Sequence, residues 1–300
     1  MTIKLFHKEG LELLSQIPDK SVDLILTDPP YITSRKTGMD KWVKHVTKQD
    51  ASGSVNIKTE EEWESYKTLE EWHNFFRTGN VHIGGWARDF SKMRGDYLKY
   101  GSIYGKKFAV KTDYGEWDSE FTMEQLQLFV NHFHRVLRDG GTCIIFFDIW
   151  KLSYLKEQLE AAKFKQLRFV EWVKTNPQPV NSGVNYLTNC REIALLAIKK
   201  SKPTFNSKYD KGIYEYPIYG GKDRFHPTQK SLPLFEDLML KHSNKGDIVL
   251  DCFSGSGTTA IAALNTGRKF IGCELDEEFF NKAIERVKVY NEKITRNKSE

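Results

Sequence analysis

Seven short apolar runs punctuate the chain: IKLFH (3–7), VDLILT (22–27), TCIIFF (142–147), LRFVEWV (167–173), REIALLAI (191–198), DIVLDC (247–252) and KFIGCE (269–274). Each has the length and β-branched or aromatic content of a buried strand. Between them lie stretches whose apolar residues recur every three to four positions. These predict helices over about Gly10 to Ile17, Phe121 to Arg138, Lys151 to Lys163, Ser231 to His242, Thr258 to Thr266 and Glu277 to Tyr290. The second opens with Thr122 and Gln125 in capping-box spacing and is expected to end at Gly140-Gly141. Strands alternating with helices predict an α/β fold, a doubly wound, mostly parallel sheet covered on both faces.

One region breaks this rhythm. From Ser34 to Glu116 the chain is polar, aromatic and dotted with glycine, and it reads as an insertion into a single larger domain made of residues 1–33 and 117–300. Within it, Arg88, Lys92, Arg94, Lys99, Lys106, Lys107 and Lys111 face only Asp89 and Asp96, and Trp86, Phe90, Tyr97, Tyr100, Tyr104 and Phe108 are interleaved. Such a mixture suits phosphate contacts with some base stacking, so Arg88, Lys92, Arg94, Lys99, Lys106 and Lys107 are candidate nucleic-acid contacts. A solvated charged face over a small aromatic minicore is the rival reading. A second basic stretch, Lys199, Lys200, Lys202, Lys208 and Lys211, is explained nearly as well by a solvent-facing loop.

The composition narrows the class. With 300 residues, 39% hydrophobic and 13% aromatic, the chain can bury a sizeable core, and its net charge of +5 makes the placement of charge matter more than the sum. Cys143, Cys190, Cys252 and Cys273 show no paired spacing and read as buried thiols, and the eight histidines show no metal-ligand pattern, so no metal is expected. His132 and His134 fall on one helix with no catalytic task. No apolar run approaches the roughly 18 residues of a membrane span, and the start has no signal-peptide core, so a cytoplasmic protein is expected.

Two stretches carry chemistry. In VLDCFSGSGTTAIAAL a strand runs into a turn holding Gly255 and Gly257 and then into a helix at Thr258-Thr259. Glycines let a ligand approach the backbone, and the helix N-terminus offers unpaired N–H groups to an anion. One strand later Glu274, followed by Leu275, stands where an acid can grip both hydroxyls of a ribose, so the ligand contains a nucleoside. A phosphate loop would need Lys where Thr258 stands. Dinucleotide binding tolerates Ala260 at its third glycine position. For S-adenosylmethionine, Asp251 would meet the ammonium, the turn amides and Thr258 the carboxylate, and Glu274 the ribose, with Ser254, Ser256 and Thr259 also candidate cofactor-binding residues; Phe253 would pack on the adenine or fill core.

The other stretch, Asp28-Pro29-Pro30-Tyr31, ends a strand, where open α/β sheets hold their ligands. Proline fixes φ near −65°, so Asp28 and the Pro29 carbonyl form two rigid acceptors, and Tyr31 offers a flat face. Paired acceptors match an exocyclic NH₂ on a nucleobase. Its nitrogen lone pair is delocalised into the ring, and acceptors on both hydrogens would localise it and aim it at a sulfonium methyl. In a duplex the base must first be flipped out. A rigid surface turn is the bland alternative. In the polar stretch KTNPQPVNSGVNYLTN (174–189) the asparagines either line the base pocket or make turns.

These motifs resemble the β group of DNA amino-methyltransferases, in which D-P-P-Y comes first and F-x-G-x-G last. The resemblance runs over Leu5 to Tyr31, Trp117 to Phe147, Glu171 to Lys200 and Phe225 to Val287. It implies a Rossmann-like methyltransferase fold with permuted motif order, S-adenosylmethionine as cofactor, and double-stranded DNA with a flipped base as partner. The stretch HPTQKSLPLFEDLM implies His226, Thr228, Gln229 and Lys230 near the methionine part of that cofactor, with Ser231 replacing the usual proline. HKEGLELL implies Glu9 as the acceptor for the cofactor adenine, in place of the usual Asp. The resemblance also points to a homodimer and to a cognate restriction endonuclease as candidate partners. Asp28, where cytosine-N4 enzymes more often carry Ser, favours adenine N6. The alternatives are cytosine N4, a silent DNA-binding subunit of the same fold, and an enzyme acting on RNA or protein amides.

Overall fold

In the computed structural model, residues 2–31, 58–68, 90–100, 121–177, 190–221, 224–226 and 228–296 are described, and they fall into two compact units, Met1–Thr33 with Trp117–Glu300, and Ser34–Glu116. The first unit is built on an eight-stranded sheet: β1 (Ile3–His7), β2 (Val22–Thr27), β3 (Leu137–Phe147), β4 (Phe164–Lys174), β5 (Arg191–Lys199), β6 (Ile213–Tyr216), β7 (Ile248–Asp251) and β8 (Lys269–Glu274). The order is β1-β8-β7-β2-β3-β5-β4-β6. The five strands from β1 to β3 run parallel, whereas β5 runs antiparallel to both β3 and β4, and β6 returns parallel to β4.

Alternation along the central strands sends side chains to opposite faces. Ile25, Cys143 and Ile145 face one core with α1 (Gly10–Gln16), the helix Met123–Val136 and the helix Leu152–Ala161. Leu24, Leu26, Ile144 and Phe146 face the other, with the helices Leu232–His242, Thr258–Thr266 and Glu277–Arg296. In chain order the helices of this unit after α1 are α4, α5, α6, α7 and α8; α2 (Glu60–Tyr66) and α3 (Phe90–Tyr100) belong to the second unit. There, Thr59 and Glu62 close a capping box on α2, Trp63 packs on Tyr97, and Arg94 of α3 is ion-paired with Glu60.

The structure corrects the sequence reading in three places. β6 has no counterpart among the seven apolar runs, because this short edge strand buries only Tyr214 of its four residues. Helix α4 carries the Thr122–Gln125 capping box but ends at Val136, ahead of the two glycines. The chain passes directly into β3, whose pairing with β2 steps from Val22–Leu137 to Leu24–Thr142, so residues 138–141 stand opposite Asp23 alone and the surplus bulges out with Gly140 at φ +79°. That junction uses Lys199. Far from facing solvent, its side chain is buried and Nζ donates to Leu137 O at 2.7 Å and Arg135 O at 3.3 Å, satisfying carbonyls where helix gives way to strand. Lys202, Lys208 and Lys211 are exposed, as a loop requires.

Cys143, Cys252 and Cys273 are buried free thiols and Cys190 is half-buried. No helix among the described residues is long and apolar enough to cross a membrane. On the α6 face, Phe235 stacks on Phe146 with ring centroids 5.6 Å apart, both fully buried. Phe235→Ala leaves a cavity in a close-packed layer and is expected to cost about 3–5 kcal/mol, read as a lowered urea midpoint at constant m-value.

Candidate functional site

The two chemically suggestive stretches end neighbouring strands. β2 and β7 pair in parallel through Leu24–Val249 and Ile25–Leu250, so their carboxyl ends emerge side by side. Thr27, the last residue of β2, donates its hydroxyl to Asp251 Oδ1 at 2.6 Å; Thr259, in the first turn of α7, donates to Oδ2 at 2.6 Å; and the Phe253 amide donates to Oδ1 at 3.0 Å. Burial raises the Asp251 carboxyl above its ordinary range and these three donors work against that rise. The carboxylate expected to meet an ammonium group is thus engaged inside the protein, where it ties the strand preceding Asp28 to the turn preceding α7.

Beyond Thr27, Asp28 lies against Lys230. Lys230 Nζ stands 2.9 Å from Asp28 Oδ2 and 2.6 Å from Glu192 Oε2, and Glu192 Oε1 is 2.7 Å from Lys174 Nζ. The Lys230 side chain is 8% exposed and its ammonium lies 5.6 Å from the ring centres of both Tyr31 and Phe146. Burial drives the Asp28 carboxyl up to about 6, with Lys230 opposing and Glu192 and Asp251 reinforcing the rise. Glu192 is held down to about 2: burial would raise it, but Lys230 and Lys174 outweigh that effect. Lys230, whose burial alone would lower its pKa, is pushed well above the usual lysine range by Asp28 and Glu192. Asp28 Oδ1 is buried and has no hydrogen-bond partner among the described residues, a costly condition that marks an acceptor kept for something else. Pro29 is buried, and half-buried Tyr31 meets Phe147 edge-on at 6.1 Å.

At the glycine turn, Gly255 takes φ +48° and a Cβ there would come 3.1 Å from His226 Nε2, while Gly257, at φ +73°, caps α7. Glu274 accepts the Gly255 amide through Oε2 at 2.7 Å and the Asp276 amide through Oε1 at 2.9 Å. Burial raises its carboxyl. Each of its oxygens keeps a lone pair for a hydroxyl donor. Ser254 donates to Asp251 O, and Ser256 shares a hydrogen bond with Thr258. The Thr258 hydroxyl also accepts from Arg286 Nη1 at 3.1 Å, and the same nitrogen donates to Ser256 O at 2.9 Å. Thr258 and Thr259 therefore spend their hydroxyls inside the turn, and the backbone N–H groups of α7 remain the donors suited to an anion.

The residues implied by resemblance gather around this turn. His226 packs on Phe279 at 4.4 Å, shares a hydrogen bond with Thr228, and is held down to about 3 by burial, with Lys230 and Arg224 adding to the fall, so its ring is neutral. Gln229 is 5% exposed and both ends of its amide lack a partner among the described residues. Phe253 joins Phe129 at 4.7 Å and Phe121 at 5.5 Å in an aromatic cluster. Glu9 is exposed and caps α1 through Oε2 on the Glu12 amide, and Leu275 is 50% exposed beside Glu274. Asn176 clamps the backbone of Ile218, a turn-making role. The buried Gln229 amide without a partner among the described residues, a glycine where a Cβ would crowd the turn, and an acid with spare lone pairs fit a nucleoside carrying an amino acid. Arg88, Lys106 and Lys107 lie outside the described residues, as does the side chain of Lys92, while Arg94 and Lys99 are on α3.

Thr27, Lys174, Glu192 and Arg286 were not singled out in the sequence. Only Glu192 left a trace there, an acid at the head of the otherwise apolar REIALLAI run.

A DNA methylase family profile, N6/N4 methyltransferase, matches residues 100–285. The chain is similar to the Type II methyltransferase M2.DpnII of Streptococcus pneumoniae, 32% identical over 203 residues that span 61% of this chain and 75% of the relative. Among solved structures, it resembles M1.HpyAVI in complex with SAM (TM-score 0.58, 24% identity, 95% of this chain and 99% of the other). It also resembles PvuII DNA methyltransferase, described as cytosine-N4-specific (TM-score 0.60, 14% identity, 98% of this chain and 93% of the other).

Thr27→Val and Thr259→Val each remove a donor from a buried carboxylate and are each expected to cost about 1–3 kcal/mol. Because both act on one group, the double variant should depart from additivity by more than about 0.5 kcal/mol, measured by urea unfolding in a double-mutant cycle.

Proposed function

The chain belongs to the N6/N4 family of DNA methylases, and from that premise we propose that it transfers a methyl group from S-adenosylmethionine to the N6 amine of adenine within a specific sequence of duplex DNA. The observation that carries this reading is Asp28 Oδ1, a buried acceptor without a partner among the described residues, at the end of the strand that Asp251 ties to the glycine turn. An acceptor of that kind three residues before the aromatic ring of Tyr31 suits an N–H donor on a flat ring.

The cofactor, when bound, supplies an electrophilic methyl group on a sulfonium centre. The chain's own residues do the rest. Glu274 would offer its lone pairs to ribose hydroxyls, the amides following Gly257 and the neutral His226 would border the methionine end, and Gln229 adds a buried amide whose two ends have no partner among the described residues. Asp28 and the Pro29 carbonyl orient the amine, and Tyr31 gives its ring a stacking surface. Asp28, with its carboxyl raised to about 6 by burial, would take the proton that the amine sheds on methylation. The flipped base, recognition through the Ser34–Glu116 unit, a homodimer and a partner endonuclease belong to the same reading.

Asp28 at the first position of the tetrapeptide favours adenine. Cytosine N4 is the second reading, since the fold is shared with a protein described as cytosine-N4-specific. Nucleoside mass spectrometry of duplex DNA methylated by the purified protein is expected to show N6-methyladenine; N4-methylcytosine would move the assignment to the second reading, and no methylated nucleoside would leave a silent binding subunit. Asp28→Ala should lower kcat by about 10²–10³-fold while calorimetry finds the affinity for S-adenosylmethionine retained.

A further inference from the structure

We propose that Lys230 and Glu192 are positioning residues for the base-side carboxylate: Lys230 pins Asp28 through Oδ2 so that Oδ1 alone is presented to the target amine, and Glu192 holds Lys230 in place. This rests on the functional reading above and assigns Lys230 to the base side of the site.

The argument is geometric. Four side chains of alternating charge, Asp28, Lys230, Glu192 and Lys174, form a chain with links of 2.9, 2.6 and 2.7 Å. They come from the end of β2, the loop entering α6, the start of β5 and the end of β4, so the chain bridges four elements around one point. Their side chains are 8–20% exposed, so each charge is largely removed from water and must be compensated by its neighbour. A carboxylate with both oxygens unheld could rotate and present either edge. With Oδ2 on an ammonium it cannot, and Oδ1 is left without a partner among the described residues. Glu192 has the second part: without it, Lys230 would answer to Asp28 alone and draw the carboxylate's charge away from the amine.

The groups facing Asp28 are Lys230, Glu192, Asp251 and Tyr31, with Lys174 behind Glu192. Asp28 must be ionised to accept from an amine, so kcat/KM should fall on the acid side as Asp28 takes a proton, near pH 6. Glu192 raises that midpoint and Lys230 lowers it. Glu192→Gln should therefore move the acid limb down by about one pH unit, and Lys230→Met should move it up by about one unit. Lys230→Arg, which keeps the charge, should leave the limb near its wild-type position. The assay is tritiated methyl transfer from S-adenosylmethionine to long unmethylated duplex DNA across pH 4.5–8.5, about two pH units either side of that midpoint. A purely structural role would lower the plateau without moving the limb in opposite directions. Limbs that stay put in both Glu192→Gln and Lys230→Met, or move the same way, overturn the proposal. A wild-type protein inactive on DNA would instead overturn the functional reading, a separate and visible outcome.

Discussion

One buried carboxylate holds the two halves of the site together. Asp251 takes Thr27 from β2, Thr259 from α7 and the Phe253 amide, three donors on two oxygens in a place without solvent. Thr27 precedes Asp28 and Phe253 precedes the glycine turn, so whatever bears on Asp251 bears on the distance between the base-side acceptor and the cofactor-side loop. The sheet register supplies the rest: a one-residue slip of β2 against β7 would turn the Thr27 hydroxyl to the opposite face and leave Asp251 a buried charge short of a partner. The arrangement is rigid because the alternatives are expensive.

That rigidity suits a reaction in which the protein contributes mainly orientation and preorganised charge. Keeping Asp28 Oδ1 dry and unpaired costs stability in the unliganded protein, and the raised carboxyl pKa is the same cost seen as protonation. Lys230 offsets part of it and Glu192 takes some of that offset back. The result is a carboxylate ionised at neutral pH yet with one oxygen unpaired among the described residues, which favours an incoming N–H donor.

How much of this was legible in the sequence follows from what each part demands of the chain. The strand ends, the glycine turn and Asp28-Pro29-Pro30-Tyr31 need unusual backbone in a short span, and short spans can be read. Gly257 at positive φ and the Thr122–Gln125 cap appear where local chemistry requires them. The ion chain was not legible, because residues 28, 174, 192 and 230 meet only once β4 and β5 pair antiparallel and the α6 loop returns over β2. Asp251 was legible as important but its protein partners were not, since a buried acid after a strand looks the same whether it faces a ligand or two threonines. Helix α4 ends early for a similar reason: Lys199, 63 positions beyond Val136, supplies a cap that a local reading assigns to glycine.

The sheet order also explains why the tetrapeptide can stand near one end of the chain and the nucleoside cradle near the other. β1 pairs with β8, and β2 lies between β7 and β3, so the first 27 residues contribute one edge and one central strand to a sheet whose intervening strands come from the last 60. No cut after β2 would yield two independent cores, because Leu24 and Leu26 share one apolar layer with Val249, Ala260 and Phe270. Proximity in this site is thus a property of strand pairing, and the strands that set it, β1, β2, β7 and β8, all lie outside Ser34–Glu116.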